Sequence, residues 1–156
     1  KLFDALSTKA NGIVPGSDTL AKMTEMWFIY CLAWSLGAGA DENGRRKLDV
    51  CIREIDAQLP GKNTVYDYFV DVHKVQWSPW EEKVTAKQWR PTADTPFFKL
   101  IVPTIDSIRN TSLLDVLIRE HRDVIITGPV GCGKTTIIQQ CLAQLPESMT
   151  DLNIQF

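Results

Sequence analysis

The chemically densest stretch runs from Val124 to Thr136 and reads Val-Ile-Ile-Thr-Gly-Pro-Val-Gly-Cys-Gly-Lys-Thr-Thr. A short β-branched run enters Gly-x-x-x-x-Gly-Lys-Thr, and a helical pattern follows at once. Strand, glycine-rich loop and helix in that order are the setting a phosphate-binding loop requires. Gly128, Gly131 and Gly133 free the backbone to curl and to approach a phosphate closely. Pro129, Val130 and Cys132 fill the variable positions between them. The loop amides and the positive end of the next helix attract anions. Lys134 is placed for the β- and γ-phosphates, Thr135 offers a hydroxyl to Mg²⁺, and Thr136 continues the first helical turn. The expectation is a nucleoside-triphosphate site using ATP or ADP with Mg²⁺.

The elements that must position this loop are legible on both sides. A strand is expected over 123–127 and a helix from about 133 to 144, with Ile137, Ile138, Cys141, Leu142 and Leu145 facing a sheet. Asn153 to Phe156 reads as the next strand, which implies a parallel sheet with a right-handed crossover. Upstream, 99–102 reads as a short strand broken by Pro103. Thr104 or Asp106 caps a helix carrying Ile105, Ile108, Leu114, Leu117 and Ile118.

The first part of the chain has a different character. Leu20, Met23, Trp27, Tyr30 and Trp34 recur at helical spacing, with Phe28, Ile29 and Leu32 widening the face, so a largely enclosed helix is expected. Ser17 or Asp18 is its expected cap, and Gly37 and Gly39 its end. Asp41 or Asn43 starts a second helix through Leu48, Cys51, Ile52, Ile55 and Leu59, stopped by Pro60-Gly61, with Arg45, Arg46, Lys47, Arg53 and Glu54 mostly on its wet side. Residues 64–72 alternate like a strand. Trp77-Ser78-Pro79-Trp80 and Trp89-Arg90-Pro91 then read as an aromatic connector.

The expected organisation is thus a small helical subdomain over 1–63, a strand and connector over 64–96, and the start of an α/β P-loop domain over 97–156. Its fold class is α/β, with an incomplete parallel sheet. The chain's 156 residues, 44% hydrophobic and 23% charged, suit a globular protein. A net charge of −2 gives no electrostatic reason to expect nucleic acid or a membrane as partner. The apolar run Met26–Ala40 is too short to span a bilayer. The four cysteines form no C-x-x-C pair, and with two distant histidines no zinc site is expected. The chain begins at Lys1 rather than methionine, and a piece of a longer protein is expected.

Several tracts resemble one family. Met26-Trp27-Phe28-Ile29-Tyr30-Cys31-Leu32-Ala33-Trp34-Ser35-Leu36-Gly37, Gly44-Arg45-Arg46-Lys47-Leu48-Asp49, and Val102-Pro103-Thr104-Ile105-Asp106-Ser107-Ile108-Arg109 before the phosphate loop are similar to dynein heavy chains. Thr64 to Tyr68 and Trp77 to Trp80 fit the same pattern. The resemblance covers about 20–156 and is nearer the axonemal than the cytoplasmic form. It implies a segment of a motor ring of AAA+ modules, from the helical subdomain closing the second module into the large subdomain of the third. It further implies that Val102, Pro103 and Thr104 lie along the adenine, and that the site regulates an ATP-driven motor. Implied partners are the adjacent AAA+ modules, microtubules, and the dynein intermediate and light chains, at the axoneme of a cilium or flagellum on its cytoplasmic side.

Hydrolysis needs an acid and transition-state cations besides the cradle. In AAA+ modules these come from later strands and a neighbouring module, and Glu147 and Asp151 stand at the wrong place. No catalytic residue is therefore assigned in this stretch. Two alternatives stay open: a stand-alone P-loop enzyme such as a kinase, and a structural segment that merely holds nucleotide.

Overall fold

The computed structural model describes residues 1–55, 59–86 and 100–145. It divides into two compact units, Lys1–Lys83 and Val84–Phe156.

The first unit is built on α2 (Leu20–Leu36), preceded by the short helix α1 (Leu2–Leu6) and a tight turn over Lys9–Asn11. Met23, Met26, Trp27, Ile29, Tyr30, Cys31, Ala33 and Trp34 are all buried, so the three- and four-residue spacing does define the inner face. Each large side chain so buried contributes roughly 1.5–3 kcal/mol. Trp27 also donates its indole N–H to the Asn11 carbonyl at 2.9 Å, pinning the leading turn to the helix. The helix is less enclosed than its sequence suggests. Phe28 is 52% exposed and meets the Phe3 ring edge-on, at 6.3 Å between centroids. Thr19, rather than Ser17 or Asp18, occupies the N-cap, with no side-chain bond to the helix.

Helix α3 spans Glu42–Ile55, with Asp41 Oδ1 accepting the Gly44 N–H at 2.8 Å as its cap. Arg45 departs from the wet side expected of it. Its Nε donates to the Gly37 carbonyl at 3.1 Å and a terminal nitrogen donates to the Ala38 carbonyl at 3.0 Å. It thereby caps the carbonyl end of α2, where a cation is favoured. Arg46 does lie outside, paired with Glu42.

The expected strand over 64–72 is shorter than its alternation. Val65–Asp67 forms a single 3₁₀ turn, closed by Asp67 Oδ2 accepting from the Thr64 N–H at 2.9 Å and hydroxyl at 2.7 Å. Strand β1 is Tyr68–Asp71. The tryptophan tract, expected as connector, supplies its antiparallel partner β2 (Gln76–Pro79), in register Tyr68↔Pro79 through Asp71↔Gln76. Trp77 and Trp80 are buried because the hairpin folds them inward. Helix α4 (Trp80–Ala86) follows directly.

The second unit contains α5 (Ile105–Arg119) and α6 (Lys134–Leu142). Thr104 caps α5 by accepting the Ser107 N–H at 3.1 Å, while Ser107 Oγ accepts the Thr104 N–H at 2.8 Å. The helix ends in a Schellman turn: Arg122 N–H bonds the Leu117 carbonyl and His121 N–H the Ile118 carbonyl, both at 2.9 Å. His121 takes the left-handed conformation this requires, φ 51°. Residues 100–104 and 122–129 lie outside any helix or strand ladder. The two-stranded β1–β2 sheet is the one ladder among the described residues. The strand expected at 153–156 lies outside the described residues.

Candidate functional site: the phosphate loop at the head of α6

The loop is shaped by backbone conformations that its sequence permits. Gly131 and Gly133 both stand at φ 81°, in the left-handed region that costs a residue with a Cβ roughly 1–2 kcal/mol. Gly133 is the N-cap of α6, and the first intrahelical bond joins the Ile137 N–H to the Gly133 carbonyl at 3.0 Å. The amides of Lys134, Thr135 and Thr136 therefore head the helix ahead of that first bond, at its positive pole. At Gly128 backbone and space both constrain: φ is 159°, and a Cβ there would meet Cys132 Sγ at 3.0 Å.

Lys134 closes the loop. Its Nζ donates to the Gly128 carbonyl at 2.9 Å and the Pro129 carbonyl at 2.7 Å, and lies 3.6 Å from Cys132 Sγ. The ammonium thus spans the glycine-rich turn from the head of α6 to the carbonyls at the turn's start. Thr135, next along the helix, is exposed in the first turn. Left-handed glycines, helix-head amides, a lysine folded over the turn and an accessible hydroxyl are the donor set a magnesium–nucleotide phosphate needs. The residues present fit that group.

The run that leads into the loop has no ladder partners among the described residues. Ile125 is 89% exposed and Val130 fully so. Such a β-branched run forms a strand only when neighbouring strands satisfy its backbone. On α6, Cys141 is buried and Ile138 is 39% exposed.

The three residues expected along an adenine are placed apart from the loop's own hydrogen-bond network. Val102 is 56% exposed. The Thr104 hydroxyl is committed to capping α5. Pro103 lines a small groove with Ser107, Ile108 and Thr111 of α5, Gln140 of α6 and Gln144 just past the end of α6. Gln140 on α6 and Gln144 in the turn that follows it are groove residues that motif reading passed over; their four-residue spacing was the available signal. Asp106 pairs with the largely buried Arg109 along α5, and Asp115 with Arg119 in an exposed contact of the kind that contributes little. Among the described residues no group of three metal-ligating side chains gathers, and no helix is long and apolar enough to cross a membrane.

Comparison with known proteins bears on both units. Residues 1–82 match the family model for the dynein heavy chain AAA lid domain, and 89–156 that for the P-loop containing dynein motor region. The chain is 41% identical over 149 residues to dynein axonemal heavy chain 2 of Homo sapiens, covering 95% of this chain and 3% of that protein. It is 41% identical over 139 residues to the dynein-1-beta heavy chain of the flagellar inner arm I1 complex of Chlamydomonas reinhardtii, covering 88% of this chain and 3% of that one. Against the dynein alpha chain of the flagellar outer arm of the same organism the identity is 31%, over 86% of this chain and 3% of that one. The chain thus spans about 3% of the length of these relatives. With family models covering a lid domain and then a P-loop motor region in sequence, the chain belongs to the dynein heavy chain family.

Proposed function

We propose that this stretch binds ATP or ADP with Mg²⁺ at Gly128–Thr136 and thereby regulates an ATP-driven microtubule motor. The observation that carries the reading is Lys134, held across a turn of left-handed glycines at the head of α6. Lys134 and the helix-head amides hold the β- and γ-phosphates; Thr135 ligates Mg²⁺, which neutralises phosphate charge when bound. Val102, Pro103 and Thr104 are assigned to the adenine side. For Thr104 the contact falls to backbone and methyl group, because its hydroxyl already caps α5.

These residues bind and orient phosphate but include no group placed to activate water. Hydrolysis in the intact motor then depends on an acid and an arginine from elsewhere in the ring. The assignment of 1–63 to the helical subdomain of the second AAA+ module, and of 97–156 to the third module, makes this a gating site. Its partners are the neighbouring modules, microtubules through the whole motor, and the intermediate and light chains of an axonemal complex. The relatives named for axoneme and flagellum support a ciliary location.

Gating requires bound nucleotide to favour one ring arrangement, typically by 1–3 kcal/mol. Lys134→Ala in the full motor is expected to change microtubule release and velocity while ATP binding at the first module is kept. A motor so altered that still releases and moves like the parent at matched ATP contradicts the gating role. Nucleotide that is retained and never exchanges would instead mark a structural site.

A further inference from the structure

One guanidinium on α3 holds three partners. Arg53 Nε donates to Asp49 Oδ2 at 2.9 Å, Nη1 donates to the Pro60 carbonyl at 2.9 Å, and Nη2 donates to the Asn63 carbonyl. Asp49, one turn back, is only 8% exposed, and its other oxygen accepts the Val65 N–H at 2.6 Å. The pair therefore grips the backbone at Pro60, Asn63 and Val65 from a single helix face.

Tyr66 anchors the far end of that segment against α2, and the Arg53–Asp49 pair holds its near end. Residues 60–64 belong to no ladder or helix, with bends at 61–63, and the 3₁₀ turn at Val65–Asp67 gives way directly to β1. An exposed i, i+4 ion pair adds only a few tenths of a kcal/mol to a helix. Here the carboxylate is buried and both groups reach beyond their own helix, so their energy is spent between elements. A planar fork with several fixed donors can serve a carboxylate and two carbonyls at once; an ammonium on a flexible stem cannot hold the same three positions.

We propose that Arg53 and Asp49 form a latch that makes α3 and the β1–β2 hairpin one rigid lever. Movement of the helical pair is then delivered at the end of the hairpin, where α4 begins and the chain runs on toward the phosphate loop. What the lever serves rests on the regulatory reading above; the latch itself does not.

Hydrogen exchange of the intact heavy chain, followed on peptides covering 60–70 and 26–34, tests it without nucleotide. Arg53→Met is expected to speed exchange over 64–70 by about tenfold or more while α2 is unchanged, the pattern of a local opening. Arg53→Lys, which keeps a charge for Asp49 but not the fork, is expected to open the same residues. Unchanged exchange in the Met variant overturns the latch. So does equal acceleration of α2 and hairpin, which marks general destabilisation, and so does full protection in the Lys variant, which reduces the contact to a simple ion pair. If Arg53→Met fails to accumulate, Asp49→Asn keeps an acceptor for Val65 but loses the charge facing Arg53. It is expected to speed exchange over 60–65, and unchanged exchange there overturns the proposal equally. Adding ATP to the parent separates the two readings. If hairpin exchange ignores nucleotide while the Arg53 variants behave as stated, the latch stands and the regulatory reading loses its support.

Discussion

Gly37 and Tyr66 meet so closely that a Cβ on Gly37 would lie 1.8 Å from the tyrosine hydroxyl oxygen and 2.8 Å from the Ala33 carbonyl oxygen. The glycine is held at φ −92°, a conformation open to any residue, so its role is space and not rotation. Around it Tyr66 packs edge-on to Trp34 at 5.4 Å, and the Arg45 guanidinium lies 5.3 Å from the Tyr66 ring. The end of α2, the start of α3 and the turn before β1 thus converge on the absent side chain.

Gly37→Ala should therefore destabilise the helical unit by about 1–3 kcal/mol, the usual cost of overpacking a close contact. Tyr66→Phe in the same chain removes the atom that clashes most and should recover part of the loss. Thermal unfolding and hydrogen exchange over α2 read both effects. Additive losses in the double variant would show that the two residues do not share the space.

Among the described residues, Val75 at 53° and His121 at 51° are the non-glycine positions with positive φ. His121 closes the Schellman turn of α5, and Val75 ends the loop between β1 and β2. Glycine at either position should stabilise by about 0.5–1 kcal/mol, and asparagine by less, since a β-branched or bulky side chain is strained there. A fall in stability for both variants would mean that side-chain packing outweighs the strain.

Burial pushes the Cys31 thiol from 9.0 up to about 12. A thiol whose folded pKa is raised contributes stability that is fully present below its unfolded value and lost as pH climbs through the folded one. Stability should therefore fall between about pH 9 and 12. Cys31→Ala should flatten that slope, though it lowers the starting stability by leaving a small cavity. In native protein, alkylation should reach the exposed Cys51 and Cys132 and spare the buried Cys31 and Cys141. An unaltered alkaline slope in Cys31→Ala would remove Cys31 as its source.

The sequence made some of this visible for definite physical reasons. Helical spacing located Met23, Trp27, Tyr30 and Trp34 on the buried face of α2, because that helix has one crowded side. The same spacing overstated Phe28, since periodicity counts apolar residues without knowing where neighbours end. The loop glycines were readable because only glycine takes φ 81° cheaply. The hairpin was missed: Trp77-Ser78-Pro79-Trp80 has no clean alternation, and its pairing with Tyr68–Asp71 is a matter of register, which no local pattern states. The structural duties of Arg45 and Arg53 were also hidden. Both sit among charged residues that read as a wet face, and their partners are backbone carbonyls carrying no sequence signature.

The central claim, that Gly128–Thr136 holds nucleotide through Lys134, is tested most directly by ATP affinity at this module in the intact heavy chain, parent against Lys134→Ala. Loss of a charge-assisted contact to phosphate costs roughly 1.5–3 kcal/mol, which predicts about 10- to 150-fold weaker binding. Equal affinity in the two proteins would contradict the assignment of this loop as a nucleotide site.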